Sequence, residues 1–294
     1  MKKSSIEIIR LIAVILIVFT HTRNELTNGI AYFIVEKIPT FGTAILSIVS
    51  GYLYFEISRF KKILFISKIK SLAIPYFISN ILILLMALFC NYVLEYNSLN
   101  RLSYDFSLIT EGVFALNSPP INPPTYFVRD IFVIFSIIAL ITKRNLKTLF
   151  VIVPLLLFGT LILREDVAFL FFIGCLYSKF KNSIDKKTLI IISVIIGVII
   201  WNYFIDYLKF PISFLIFILL IDFQFKFYNT GKFSYLLHLY HSPIIVISYP
   251  ILKMFIENQL FLIVTQIIAA LVFTYILFII TKKYTVLNII SGGR

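Results

Sequence analysis

The sequence predicts an all-α integral membrane protein, a bundle of about ten transmembrane helices with both termini in the cytoplasm. Three observations predict it. Of the 294 residues, 60% are hydrophobic and 14% charged, against about 25% charged in a soluble domain. Apolar runs of roughly 15–22 residues recur along the chain, and about 20 residues span a bilayer core. Basic residues also gather in alternate loops, as the positive-inside rule requires.

The expected spans are 6–22, 39–55, 71–93, 124–142, 148–163, 167–178, 188–205, 211–225, 233–252 and 259–281. Lys2 and Lys3 ahead of the first run suggest a secretory signal. However, no A-x-A-like cleavage site follows and Arg10 interrupts the apolar stretch, so an uncleaved first span is expected. The sixth span is short, and the eighth opens at Pro211. Helix starts account for at least two of Pro75, Pro154, Pro211 and Pro243, and the others can bend or open a helix. No Gly/Ser linker, low-complexity tract or clear repeat divides the chain. One transmembrane domain, 1–294, is expected, with no appended soluble domain.

Charge sets the orientation. With the N-terminus inside, nineteen of the 27 basic residues face the cytoplasm. They are Lys2, Lys3, Arg59, Lys61, Lys62, Lys68, Lys70, Lys143, Arg144, Lys147, Lys179, Lys181, Lys186, Lys187, Lys226, Lys232, Lys282, Lys283 and Arg294. Six face the other side: Arg23, Lys37, Arg101, Arg164, Lys209 and Lys253. Arg10 and Arg129 fall within spans. The net charge of +13 follows from this topology. No nucleic-acid partner is expected; the basic loops suit anionic lipid head groups of the bilayer or a phosphorylated cytosolic ligand.

Cys90 and Cys175 fall in apolar spans toward opposite membrane faces, so no disulfide is expected, and no metal site is read. Asp222 reads as the partner of a nearby lysine. The longest external connection, about 94–123, carries Glu95, Arg101, Asp105, Glu111 and NSPPINPPT. Its apolar piece 106–116 suits a re-entrant or surface-lying helix. The loop serves as a lid, an acceptor-binding surface or a plain connection.

The chemistry centres on one spacing. Eleven steps of a helix return to within about 20° of the starting face, about 16 Å along. Arg10 and His21 therefore share one stripe of the first span, the cation near the cytoplasmic leaflet and the imidazole near the outer face. Ionisable groups at such depth are costly and read as functional by default. The plainer reading has Arg10 snorkelling to lipid head groups beside Glu7, and His21 at the interface.

IIRLIAVILIVFTH, with its R-x10-H spacing, resembles the opening of the membrane-bound acyltransferase 3 family. Five further stretches follow in the family's order. SIVSGYLYF (47–55) is similar to its Ser-Gly-aromatic signature at Ser50, Gly51 and Tyr52, and KIKSLAIPYF (68–77) resembles its basic stretch and IPY opening. TYFVRDIFVIF (125–135) resembles its aromatic-Phe-x-Arg segment, with Tyr126 where Trp is common. FLFFIGCLY (169–177) is similar to its Gly-centred span, and SYLLHLYHSP (234–243) to a late Y-L-x-H-x-P motif. The chain is short for the family, and lysines replace several expected arginines at 61–70.

The resemblance implies an enzyme of a bacterial cytoplasmic membrane. It would move an acyl group, usually acetyl, from cytosolic coenzyme A to a hydroxyl of a cell-surface glycan or lipid-linked sugar. Acyl-CoA is then a co-substrate, with no permanently bound cofactor. Its phosphates need cations, for which Lys68, Lys70, Arg59, Lys61 and Lys62 are the candidates. The pantetheine arm would run past Arg10 toward His21. An imidazole of pKa about 6.5 can take the acceptor's proton, or carry the acyl group as acyl-histidine. Arg129 is a candidate for the oxyanion or an acceptor phosphate, or an internal ion pair with Asp130. His241 is a candidate for the same acceptor region, or a structural cavity residue. The alternative function is export of a polysaccharide or lipid-linked glycan intermediate, with the same charges lining a path.

Overall fold

The computed structural model describes residues 3–95, 97, 99, 101–140, 146–223 and 227–293. Lys2, Lys143, Arg144, Lys226 and Arg294, part of the expected cytoplasmic charge, lie outside the described residues. Among the described residues there are twelve α-helices and no strand. The longer ones are α1 (Lys3–Phe19), α2 (Phe41–Glu56), α3 (Ile74–Val93), α4 (Tyr126–Ala139), α5 (Leu146–Phe158), α6 (Glu165–Phe180), α7 (Lys186–Tyr203), α8 (Lys209–Leu220), α9 (Gly231–Lys253) and α10 (Gln259–Lys283). Each coincides with one expected segment. Two short helices, Gly29–Tyr32 and Leu64–Lys68, lead through π-type turns toward α2 and α3.

Five helical stretches have the length and apolarity to cross a bilayer: Gly29–Glu56, Leu64–Val93, Lys186–Tyr203, Gly231–Lys253 and Gln259–Lys283. α7 buries only Ser193 and exposes Ile191, Ile195, Val198 and Trp201. An apolar surface of that size suits hydrocarbon rather than water as its solvent. The chain is a membrane protein.

Local chemistry sets several helix ends. Asp185 accepts the Thr188 N–H at 3.3 Å to cap α7, and Asn258 accepts the Phe261 N–H at 3.1 Å to cap α10. Glu165 and Asp166 stand in the first turn of α6, where carboxylates complement the helix dipole. α1 stops two residues before His21. The Thr20 and Thr22 hydroxyls donate to the carbonyls of Ile17 (2.7 Å) and Phe19 (2.8 Å), and the His21 N–H bonds Val18 three residues back at 3.2 Å. Such bonds compete with the α-helical ladder, so His21 lies just past the helix expected to carry it.

The core forms around α1, α2, α6 and α9. At the α2–α6 crossing the backbones almost touch: a Cβ at Gly51 would stand 1.8 Å from the Phe171 carbonyl, and one at Gly174 2.1 Å from that of Ile48. The Cys175 thiol donates to the Gly51 carbonyl at 3.3 Å. Cys90 and Cys175 are both free.

Cross-links sort the helix ends. At one end Ser5 donates to the Phe223 carbonyl, Thr230 to that of Glu7 at 3.4 Å, and Lys232 to that of Thr281 at 3.1 Å. Lys186 pairs with Asp222 at 2.8 Å, as the sequence suggested for that carboxylate. At the other end Lys209 pairs with Asp166 at 2.6 Å and Lys37 with Asp206 at 3.5 Å. Lys232 also donates to Asn288, so segments near both termini meet at the first end.

The long connection folds on itself. Glu111 accepts the N–H groups of Asn117 (3.0 Å) and Ser118 (2.8 Å), and Arg101 donates to Ser118 at 2.9 Å and to the carbonyls of Pro119 and Pro120. The expected helical piece shrinks to one π-type turn, Leu108–Val113, with Leu108, Gly112 and Val113 buried.

Candidate active site

α1 carries Arg10 into the wall of a cavity of about 400 Å³, with Glu7, Ser50, Tyr54, Ser58, Lys68 and Asn229 as its polar lining and Leu53, Leu72, Ile131 and Phe135 among its apolar walls. Arg10 stands 3.4 Å from Glu7, one turn earlier on the same helix. Lys68 lies 3.7 Å above the Phe135 ring, a cation–π placement that steers its ammonium beside the apolar wall. Two cations thus share a partly apolar recess.

Of the other candidate donor-binding cations, Arg59 belongs to a second cavity of about 530 Å³ with Phe55, Glu56, Phe60, Ser178, Lys179 and Lys181. Its guanidinium lies 3.8 Å over the Phe55 ring and 4.5 Å over that of Phe60. Lys181 there pairs with Glu56 at 2.8 Å. Lys61, Lys62 and Lys70 are exposed and line neither cavity. A basic run in sequence is therefore split by the turns after α2 into two sites and a solvated face.

Beyond α1, His21 meets α9. Its ring lies 5.2 Å from that of His241, and His241 lies 6.4 Å from His238. These are the three histidines of the chain, brought together from segments more than 200 residues apart. His238 packs edge-on against Phe127 at 5.7 Å. His241 is 0% exposed, and its Nδ1 lies 2.7 Å from the Leu237 carbonyl.

The segment after His21 is held by α10. Gln266, fully buried, accepts the Arg23 N–H at 2.8 Å and donates to the Arg23 carbonyl at 2.9 Å. A paired amide clamp of this kind fixes both position and direction of the backbone. On α9, Pro243 lacks the N–H that the Leu239 carbonyl would ordinarily accept. Asn122 supplies a substitute, its Nδ2 donating to Leu239 at 2.7 Å. Asn122 is in turn held by Asn80, which accepts its N–H at 3.1 Å and donates to Thr125 at 3.0 Å. The NPPT segment thereby braces α9 beside the histidines.

The contacts of Arg129 lie within the fold. It donates to Asp130 at 2.9 Å and to the Leu161 carbonyl at 2.9 Å. Asp130, 0% exposed, also accepts the N–H groups of Leu163 and Arg164 at 3.0 Å. The pair pins the loop between α5 and α6, which is the internal ion-pair reading. Sequence reasoning missed Gln266, Asn80, Asn122 and Thr125. The available signal was an amide or hydroxyl inside or beside an apolar run, where an unsatisfied polar group is expensive.

A cationic recess, a cluster of imidazoles and one helix joining them can bind a polyanion at one end and exchange a proton at the other. Among known families, the model of an acyltransferase domain matches residues 3–282. No curated protein and no solved structure matches the chain. Matched over nearly its whole length, the chain belongs to the acyltransferase 3 family.

Proposed function

We propose that this membrane acyltransferase is an O-acyltransferase taking its acyl group, acetyl first among the candidates, from cytosolic acyl-CoA. The acceptor is a hydroxyl of a cell-surface glycan or a lipid-linked sugar. The observation that carries the reading is the polarity of α1: its Arg10 end opens on a cavity with a second cation, Lys68, and its other end delivers His21 to two further histidines. In this reading all ten longer helices cross a bacterial cytoplasmic membrane, and both termini and the Arg10 end face the cytoplasm.

The recess suits a thioester on a long polar arm. Arg10 and Lys68 attract its phosphates, while Leu53, Ile131 and Phe135 accept the chain. Arg59, Lys179 and Lys181 offer further positive charge around the neighbouring cavity. At the far end of α1 a neutral His21 takes the acceptor's hydroxyl proton while that oxygen bonds the thioester carbonyl carbon. The carbon–sulfur bond then breaks, and the leaving thiolate recovers the proton from the imidazolium, giving an ester and free coenzyme A. The competing route, an acyl-histidine intermediate, uses the same residue. Family membership disfavours the exporter alternative.

Purified protein supplied with labelled acetyl-CoA and a glycan extract should label the glycan, and His21→Ala should abolish that transfer with the protein still inserted. Undiminished labelling by the variant removes His21 from the mechanism. Coenzyme A should raise the melting temperature of the wild type, since a ligand of the folded state stabilises it.

A further inference from the structure

His241 is fully buried and has one nitrogen committed and one uncommitted. Its Nδ1 sits 2.7 Å from the Leu237 carbonyl, which can only accept a hydrogen bond, so Nδ1 carries the proton. Its Nε2 is then a lone-pair acceptor, buried and without a hydrogen-bonding partner among the described residues. A buried acceptor left in that state is costly, and it calls for a donor. The ring stacked beside it is His21, 5.2 Å between centroids and tilted by 55°. No hydrogen bond joins the two rings in this structure, but a rotation about the side-chain torsions of either histidine is enough to bring a His21 nitrogen within hydrogen-bond reach of Nε2.

The surroundings bear on how His241 is held. No group of three His, Cys, Asp or Glu among the described residues is arranged to hold a metal ion. The turn that carries His241 is braced from outside by Asn122 on the Leu239 carbonyl, which fixes the position from which its ring faces His21.

We propose that His241 is a positioning residue for His21: its Nε2 accepts the N–H of one His21 nitrogen, locking the tautomer that leaves the other nitrogen free to take the acceptor's proton. This rests on the reading of His21 as the catalytic base. The arrangement does the work that a carboxylate does in a Ser-His-Asp triad, but with a neutral partner. A neutral partner suits a site inside a membrane protein, where a buried carboxylate would carry a heavy desolvation cost.

The test compares His241→Leu, which keeps bulk and loses the acceptor, with His241→Gln, whose side-chain oxygen restores one. H241L should lower kcat about 10–100-fold, the usual cost of losing an orienting partner, with the KM for acyl-CoA within about twofold. H241Q should stay within about fivefold of wild type. ¹⁵N-histidine labelling supplies a second readout, since only three histidines contribute signals. His21 should show one neutral tautomer in the wild type and H241Q, and both in H241L. A wild-type kcat in H241L, a loss in H241Q as large as in H21A, or an unchanged His21 spectrum in H241L each overturns the proposal. Should H241L fail to insert, H241Q decides alone by its kcat and spectrum. Failure of the underlying reading looks different: there H21A itself retains transfer.

Discussion

At one end of α1, Arg10 stands in a cavity beside a second cation, with a carboxylate as a loose neighbour and half-buried turns around it. At the other, His21 is delivered by an interrupted helix, held through Gln266 on the backbone of Arg23 two residues on, and set against a histidine with no solvent exposure. One helix joins a site with room for a ligand to a site whose backbone is already pinned. Binding of a flexible polyanion tolerates play in the cations that meet it, because charge acts over several ångströms. Proton transfer does not, because it needs a defined nitrogen at hydrogen-bond distance. The contrast is between a recognition end and a chemistry end, and each prediction below acts on one of them or on their connection.

The largest effect should come from the connection itself. Gly51→Leu forces a side chain where even a Cβ would meet the Phe171 carbonyl at 1.8 Å, so α2 and α6 must part. The cost should be on the order of 3 kcal/mol or more, and it falls on both ends at once. Loss of the folded band on size exclusion, with neither coenzyme A binding nor transfer, is the expected result. A well-folded, active G51L would show that the close crossing does not hold the two ends in register. At the chemistry end, Gln266→Leu leaves the Arg23 N–H and carbonyl without their buried partners, a cost of about 1–3 kcal/mol. It should lower kcat about tenfold or more while the KM for acyl-CoA holds, read by steady-state kinetics. A rise in KM alone would blur the division of labour between the ends.

The recognition end should answer in the opposite way. Arg10→Ala and Lys68→Ala each remove a charge-assisted contact worth about 1.5–3 kcal/mol, so each should raise the KM for acyl-CoA about 10–100-fold with kcat changed far less. Each should also shrink the thermal shift that coenzyme A gives. Lys187→Ala, an exposed cation outside both cavities, is the control and should change neither. If Arg10→Ala leaves the thermal shift intact, Arg10 is an anchor for lipid head groups.

The helices were legible in the sequence because a long apolar run is a local property, and each expected segment contains a helix. The stripe joining Arg10 to His21 was only half legible. Helical arithmetic assumes an unbroken ladder, and the Thr20 and Thr22 hydroxyls end it at Phe19. Which of five candidate cations lines the Arg10 cavity depends on how the turns after α2 fold, so spacing alone pointed to Lys61, Lys62 and Lys70 as readily as to Lys68. The Arg23–Gln266 clamp joins residues 243 positions apart, and no local pattern announces such a pairing. Pro243 was visible as a helix perturbation, yet the carbonyl it releases finds its donor on Asn122, 117 positions away in the chain.

The smallest effect belongs to the loop that ends in that asparagine. Glu111 is half-buried, and the N–H and side chain of Asn117, with the N–H and hydroxyl of Ser118, hold its carboxyl below the ordinary value of 4.5. A carboxylate whose folded pKa is depressed contributes fully above its unfolded pKa and loses the contribution as pH falls through the folded one. The 111–118 turn should therefore be tight at neutral pH and loosen only in acid below the usual carboxylate range. Hydrogen-exchange protection of the Asn117 and Ser118 amides reads this directly. Glu111→Gln should lower that protection at neutral pH and flatten its pH dependence, while kcat changes little because Asn122 is held separately by Asn80. If E111Q instead cuts kcat as deeply as Gln266→Leu, the loop is part of the chemistry end, and the boundary between the two ends lies further out than the histidines alone suggest.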